Sequence, residues 1–573
     1  MFDAIAEFFR RSIITVKAVD RISIPEPRGA AKSAVKSDRL PKLAVLEGIE
    51  WIVAIVLSTT VLFLLIVRTT HAGALWRDEC DSVQLARMPR FADVLANLQY
   101  TSFPVLFPTI VRVYTTLFGE SDFALRCFGL IAGIALVATT WFHSLSTSRQ
   151  PPLLLLGLIG LNTTFLTAGT WVRGYGVGSV LMVLAITLAL NLLRQVTSSG
   201  LLAMLVVALA ASQCLFFNGV FIAVVIFAVM AVFLLRREFK SALLLMGFGV
   251  AVGIAYVPYI LSIYFDVGRW AIILQESVSF SWTWNELNYA FGAPSSVMRW
   301  VWLVVVLGAV IGAVWCLWEE KLTAGRYVLL FGLTVIAISI PSYCAFMWIV
   351  HKPPLQRYYL VFFCSLASAA DVIVAILCRL DWVRVARVVI VFALTVTLPF
   401  AVWPAMIVRE TNIDILARRL EKEADPNDVI LVNTWSRGIS FNRYYHGPAR
   451  WLTVPEMQDH RIHRYDLLQA KMTEFFPLDD LEQAMTTALK TGNRVWLVGE
   501  FKGAATSRRP LVLAPAPDPK FGWRSTIYSY AWSEQLFMFV RRHASKLDVA
   551  VQPQPLVNRN ENSALIVAEG WEY

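Results

Sequence analysis

The chain alternates between long apolar runs and short polar breaks. Eleven runs stand out, at 50–68, 124–142, 152–169, 175–193, 200–216, 219–235, 242–264, 299–318, 326–349, 358–378 and 386–406. A helix needs about 20 apolar residues to cross a bilayer. The pattern therefore predicts a mainly α polytopic bundle with about eleven crossings. A further apolar run, 103–118, is short and contains Pro104, Pro108 and Arg112. It is expected to lie along the outer interface or dip into it. From Glu410 the pattern changes to that of a soluble domain. Asp414 to Glu423 has helical amphipathicity, and Val429-Ile430-Leu431-Val432 follows a turn as a buried strand. Residues 450–454 and 494–498 read as further strands and 478–490 as a helix. Residues 523–532 and 535–540 read as a final hairpin. Helices alternating with apolar strands imply a small C-terminal α/β domain. The expected division is 1–48, 49–408 with a long first outer loop at 69–123, and 409–573.

Composition agrees with a membrane protein. Hydrophobic residues make up 57 % of the chain, charged residues 16 %, and the mean hydropathy is +0.58. Soluble domains average about 45–50 % apolar and about 25 % charged residues. Of the cysteines, only Cys80 lies in a polar loop and none follows Met406, so no disulfide framework is expected.

The net charge of +10 suits basic cytoplasmic loops. It does not indicate a nucleic-acid partner, because no basic face carries interleaved aromatics. Residues 1–48 are basic and lack the layout of a cleaved signal peptide. The positive-inside rule places them in the cytoplasm. Residues 2–19 read either as an amphipathic helix on the membrane, with Phe8, Phe9, Ile13 and Ile14 inward, or as a basic tail. Arg236, Arg237, Lys321, Arg326, Arg379 and Arg384 then fall on the cytoplasmic side. The C-terminal domain falls outside, in the periplasm of a cell with an inner membrane.

Charges on the outer face converge. The first outer loop holds Trp76-Arg77-Asp78-Glu79-Cys80-Asp81. Adjacent carboxylates at a membrane boundary repel each other and lose hydration, so they call for chemistry, a cation or a partner. The other outer loops supply Arg173, His351, Lys352 and Arg357. Each residue also has a plainer reading. Asp78 and Glu79 suit a helix N-terminus, and Asp81 reads as a solvated face residue. Arg126 and Arg173 fit snorkelling anchors. Lys352 and Arg357 flank a Pro-Pro turn and fit interface markers. Tyr175 and Tyr358 fit an aromatic belt. His351 has no second histidine at ligand spacing. In the C-terminal region, Arg437, Arg443, Tyr444, Tyr445, His446 and Arg450 read as a basic aromatic surface, with a glycan-facing role as the alternative.

Four motifs occur in order: the Asp78-Glu79 pair; Phe103-Pro104-Val105-Leu106-Phe107; Leu117-Phe118-Gly119-Glu120-Ser121-Asp122-Phe123-Ala124-Leu125-Arg126; and Arg173-Gly174-Tyr175, with a later Arg357-Tyr358. Together they resemble the family-39-type, GT-C-fold glycosyltransferases, which include protein O-mannosyltransferases and aminoarabinose transferases of lipid A. The chain departs from that pattern in two places. A Pro-Pro-Leu is reduced to Pro104-Val105-Leu106, and an acidic residue before the R-x-Y is replaced by Trp171 and Val172.

The resemblance implies an enzyme that moves a hexosyl or pentosyl group from a polyprenyl-phosphate donor to a hydroxyl of a glycan, lipid or protein on the outer face. It implies Asp78 as general base, with Glu79 assisting or holding a divalent cation. It implies Arg126, Arg173, Tyr175, Lys352, Arg357 and Tyr358 around the lipid phosphate. Two other classes stay open. A transporter or flippase for a lipid-linked sugar would want inverted repeats and midplane charges. A non-catalytic scaffold would use only the outer domain.

Overall fold

The structure is a computed structural model and describes residues 39–101, 103–262, 268–274, 279–292, 296–319, 325–351, 353–501 and 509–572. The expected surface helix at 2–19 lies outside these residues. All contacts given below lie within Glu50–Tyr573.

Among the described residues, nine helices are long and apolar enough to cross a membrane. They match nine of the eleven expected crossings. Gln356–Leu377 is the inner helix, with 83 % of its apolar window buried. Phe239–Ser262 lies at the periphery, with 17 % buried.

The other two runs differ from expectation. Ser198–Cys214 is helical but has only 17 residues. The run 152–169 is broken into Leu154–Gly160 and Thr163–Ala168. Its physical cause is internal capping. The Asn162 side chain accepts from Phe165 N and starts the second piece. Asp371, on the inner helix, accepts from Leu155 N at 3.2 Å and caps the first piece. Gly160 lets this segment approach the first long helix closely, since a Cβ there would stand 2.9 Å from Val61 Cγ2. Leu106–Phe118 has 13 residues. At 1.5 Å per residue it is about 20 Å long, short of a bilayer core.

The C-terminal region carries one five-stranded sheet. Its strands are β1 (Val429–Asn433), β2 (Arg450–Thr453), β3 (Val495–Gly499), β4 (Lys546–Val551) and β5 (Ala564–Glu569), in the order β2-β1-β3-β5-β4. β1 runs parallel to β2 and β3, with Val429 opposite Arg450 on one side and Val495 on the other. β5 runs antiparallel to β3 and β4.

Both faces of this sheet are covered. Leu431 and Leu497 pack with Leu481, Met485 and Leu536 on one face. Ile430, Val432 and Val498 pack with Leu416 and Phe441 on the other. Hence β1 and β3 are continuous apolar runs, the signature of doubly covered strands.

One expected element is wrong. Residues 523–540 form no hairpin but most of the helix Ser525–His543. Tyr528, Ala531, Trp532, Leu536 and Val540 are buried along it at helical spacing. The aromatic content mimicked a strand, and burial against the sheet decided otherwise. The antiparallel pair at the end of the domain is β4–β5 instead.

The two regions meet at the C-terminal end of the first long helix, Arg39–His71. Arg68 pairs with Glu410 and donates to Val408 O. Glu410 N donates to Ala72 O at 2.9 Å. The exit from the last long helix, Asp381–Met406, is thereby tied to the start of the loop that follows His71.

Candidate active site

The short helix Arg77–Ala86 carries the acidic cluster. Two acidic side chains fall in its first turn, where the helix dipole favours negative charge. Its first N–H groups are met by carboxylates. Arg77 N donates to Glu561 Oε1 at 2.9 Å, and Trp76 N donates to Glu79 Oε2 at 3.4 Å. Helical spacing then sorts the side chains. Asp78, Asp81 and Ser82 share one face, and Glu79 points elsewhere.

Glu79 is completely buried. Its Oε1 accepts from Arg126 Nη1 at 2.7 Å and from Val172 N at 2.9 Å. Arg126 donates its remaining groups to Gly73 O at 2.9 Å and Ala74 O at 2.7 Å. This pair ties the acidic helix to the membrane helix Asp122–Thr147 and to the turn before Arg173. Trp171, in that turn, donates to Glu410 Oε1 at 2.6 Å.

Asp78 sits among cations. Its Oδ2 lies 3.3 Å from Arg357 Nη2 and 3.9 Å from Arg173 Nη2. Its Oδ1 lies 3.7 Å from both Arg77 Nε and His463 Nε2. Burial pushes the Asp78 carboxyl up, but Arg173, then Arg357, His463 and Arg77, outweigh it and hold the group well below the usual carboxylate range.

Arg173 is anchored by its own bonds to Asp78 O at 2.7 Å and Ser82 Oγ at 3.1 Å, and it stacks over Phe103. Arg357 is held differently. Its guanidinium carbon lies 5.7 Å from the Trp76 ring, 5.8 Å from Trp171 and 5.4 Å from Tyr358, an aromatic cage for a cation. Its Nε has no hydrogen-bond partner. The turn that carries it is fixed by Gln356 N donating to Glu286 Oε2 at 3.1 Å, and by Trp282 Nε1 donating to Pro354 O at 3.0 Å. Tyr175 packs 5.6 Å from Phe103 and 6.4 Å from Tyr358.

The structure thus brings Asp78, Arg173, Arg357, Tyr175 and Tyr358 together. Arg126 and Glu79 form a separate buried pair, and Lys352 lies outside the described residues. Asp81 is not a solvated face residue. It is buried and accepts from His463 N at 2.9 Å, and His463 Nδ1 lies 3.1 Å from it. The helix turns it inward, and the C-terminal region covers it.

His463, Arg77 and Trp76 also belong to the site and were not picked out from the sequence. The only sequence signal for His463 is the run Arg461-Ile462-His463-Arg464, unusually polar around one buried isoleucine. The basic aromatic stretch from Arg437 is likewise only partly a free surface, with His446 and Arg450 exposed. Arg437 is buried, and Tyr444 OH lies 3.0 Å from Asp122 Oδ1 while accepting from Leu75 N.

The residues do not fit a resident divalent cation at Glu79. Glu79 is committed to Arg126 and Val172, and Asp78 is ringed by positive charge. Among the described residues, no three His, Cys, Asp or Glu side chains come together as a metal cage.

Two cavities each share an arginine with this site. One, of about 480 Å³, is lined in part by Arg77. The other, of about 380 Å³, is lined in part by Arg357, Arg68 and Arg559. Asp78 lines neither cavity, but Arg77 stands 3.7 Å from its Oδ1 and Arg357 3.3 Å from its Oδ2.

No protein-family model and no curated protein matches this sequence. Solved structures similar to it include an ArnT from Cupriavidus metallidurans bound to undecaprenyl phosphate, at 10 % identity and a TM-score of 0.47, covering 90 % of this chain and 98 % of that one. An oligosaccharyltransferase from Archaeoglobus fulgidus, tethered to an acceptor peptide, is similar at 10 % identity and a TM-score of 0.45, covering 77 % and 69 %. The arabinosyltransferase EmbB from Mycobacterium smegmatis follows at 13 % identity and a TM-score of 0.32, covering 63 % and 33 %.

Proposed function

We propose that the protein is a membrane glycosyltransferase that moves a sugar from a polyprenyl-phosphate donor to an acceptor hydroxyl. One observation carries this reading. Asp78, buried and ionised, shares Arg357 with an adjoining cavity, and Arg357 still has a donor without a protein partner.

In this reading the donor phosphate lies against Arg357 and Arg173. The acceptor oxygen attacks the anomeric carbon while the bond from that carbon to the phosphate oxygen breaks. The electron pair goes to the phosphate, where the guanidinium groups stabilise it. The acceptor proton goes to Asp78. A carboxylate held far below neutrality is a weak base. The bound phosphate corrects this by drawing Arg357 off Asp78, so basicity rises only when donor is present. Glu79 and Arg126 position the helix that carries Asp78 rather than touching substrate. Apolar grooves between the long helices take the prenyl chain.

Asp78→Asn tests the assignment. It keeps size and removes the charge. Transfer by the purified protein in nanodiscs should fall by about a hundredfold or more, with undecaprenyl-phosphate binding changed much less. Wild-type transfer by a folded Asp78→Asn protein would sink the reading.

A further inference from the structure

The 480 Å³ cavity has a place in the sheet topology. From β1 the chain crosses to β2 on one side, and later returns as β3 on the other side of β1. In parallel α/β sheets, ligands sit beyond the carboxyl ends of strands where the winding reverses in this way. The cavity lies there. Asn433 ends β1 and Glu500 follows β3, and both line it. Its far wall is the helix Ser525–His543, which presents Ser525, Ser529 and Ser533 at four-residue spacing.

Two buried side chains in this wall have unmet bonding capacity. Asn433 is 2 % exposed. Its Nδ2 donates to Glu500 O at 2.5 Å and to Ser533 Oγ at 2.7 Å, and its Oδ1 has no donor. Arg437 is 7 % exposed and gives Nη1 to Asn433 O at 2.8 Å, while its Nε has no acceptor. A buried acceptor and a buried donor without partners are costly, and a ligand whose groups reached them after a small shift of these side chains would offset that cost. Sugar hydroxyls do both at once. The charged side chains lining the cavity are Arg77, Arg437 and Glu500, so a carboxylate on the occupant would meet two guanidinium groups, one shared with Asp78 and one with Glu500. The Arg77 side chain, in the lining, also stands 3.7 Å from Asp78 Oδ1.

We propose that this cavity binds an acidic sugar of a glycan acceptor and so presents a neighbouring hydroxyl to Asp78. The proposal rests on the transferase reading for its purpose, but not for its test. The full-length protein in nanodiscs is titrated with D-glucuronate, D-glucose and inorganic phosphate, and occupancy is followed by saturation-transfer NMR. Glucuronate should bind at least tenfold more tightly than glucose. Arg437→Gln should weaken glucuronate binding at least tenfold. Ser529 is half-buried at the rim, so Ser529→Trp fills the cavity without touching the core and carries the test where Arg437→Gln unfolds.

Undecaprenyl-phosphate binding, read in parallel, reports the donor site. Glucuronate binding lost in Ser529→Trp, in a protein that never binds undecaprenyl phosphate, supports the cavity and sinks the transferase reading. Absent glucuronate binding, binding unchanged in Ser529→Trp, or full displacement by inorganic phosphate would overturn the proposal.

Discussion

Arg173 and Arg357 both face Asp78, yet the protein holds them in opposite ways. Arg173 is bonded to backbone and hydroxyl on the acidic helix itself. Arg357 is caged by rings and reaches that helix only through the Asp78 carboxylate, at 3.3 Å. A caged cation can swing to a phosphate at little cost in broken bonds, and a bonded one cannot. The two substitutions should therefore separate. Arg357→Ala should weaken undecaprenyl-phosphate binding by about ten- to a hundredfold, the scale of one charge-assisted bond of about 1.5–3 kcal/mol. Arg173→Ala should cost more in thermal stability than in donor affinity. Equal donor affinity in wild type and Arg357→Ala, by titration in nanodiscs, would remove Arg357 from the donor site.

At the scale of elements, the acidic helix is held from several directions. Glu79 and Arg126 join it to a long apolar helix, Val172 N joins it to the turn before Arg173, and His463 covers Asp81. Breaking the buried pair from one side strands a charge and should cost about 3–5 kcal/mol. Glu79→Gln and Arg126→Met should each lower the melting temperature sharply. The double variant, which leaves no unpaired charge, should regain much of the loss. Additive losses in that cycle would show that the pair is not coupled.

These contacts also explain what the sequence could and could not reveal. The long helices and the central strands were legible because each writes its burial into one continuous apolar run. The broken segment at 152–169 was not, because its break rests on the single cap Asn162 inside an otherwise continuous apolar run. Asp78 was legible as a rare charge at a membrane boundary. Asp81 and His463 were not, since their meaning lies in a contact between distant loops.

Considered whole, the molecule has one face where everything reactive gathers. Arg68, Asp78, Arg173 and Arg357 all lie beside the C-terminal region, and Glu50, Arg384 and Arg387 cluster among themselves elsewhere, bonded at 2.6–2.9 Å. We propose that the first face is extracytoplasmic and that residues 1–48 are cytoplasmic. Gln483 is exposed on the C-terminal region, so Gln483→Cys should react with an impermeant maleimide added to intact cells, while Ser33→Cys should react only after lysis. The reverse pattern, read against the unmodified parent, would invert the orientation.

Arg77 N takes its cap from Glu561, 484 positions later. During synthesis the helix bearing Asp78 therefore leaves the ribosome long before its partner exists. Every membrane segment is inserted while the acidic helix still lacks the group that seats it. The acidic helix cannot be seated as in the folded protein until the segment bearing Glu561 has been made. The order of the chain thus sets an order of assembly in which the acidic helix is seated late.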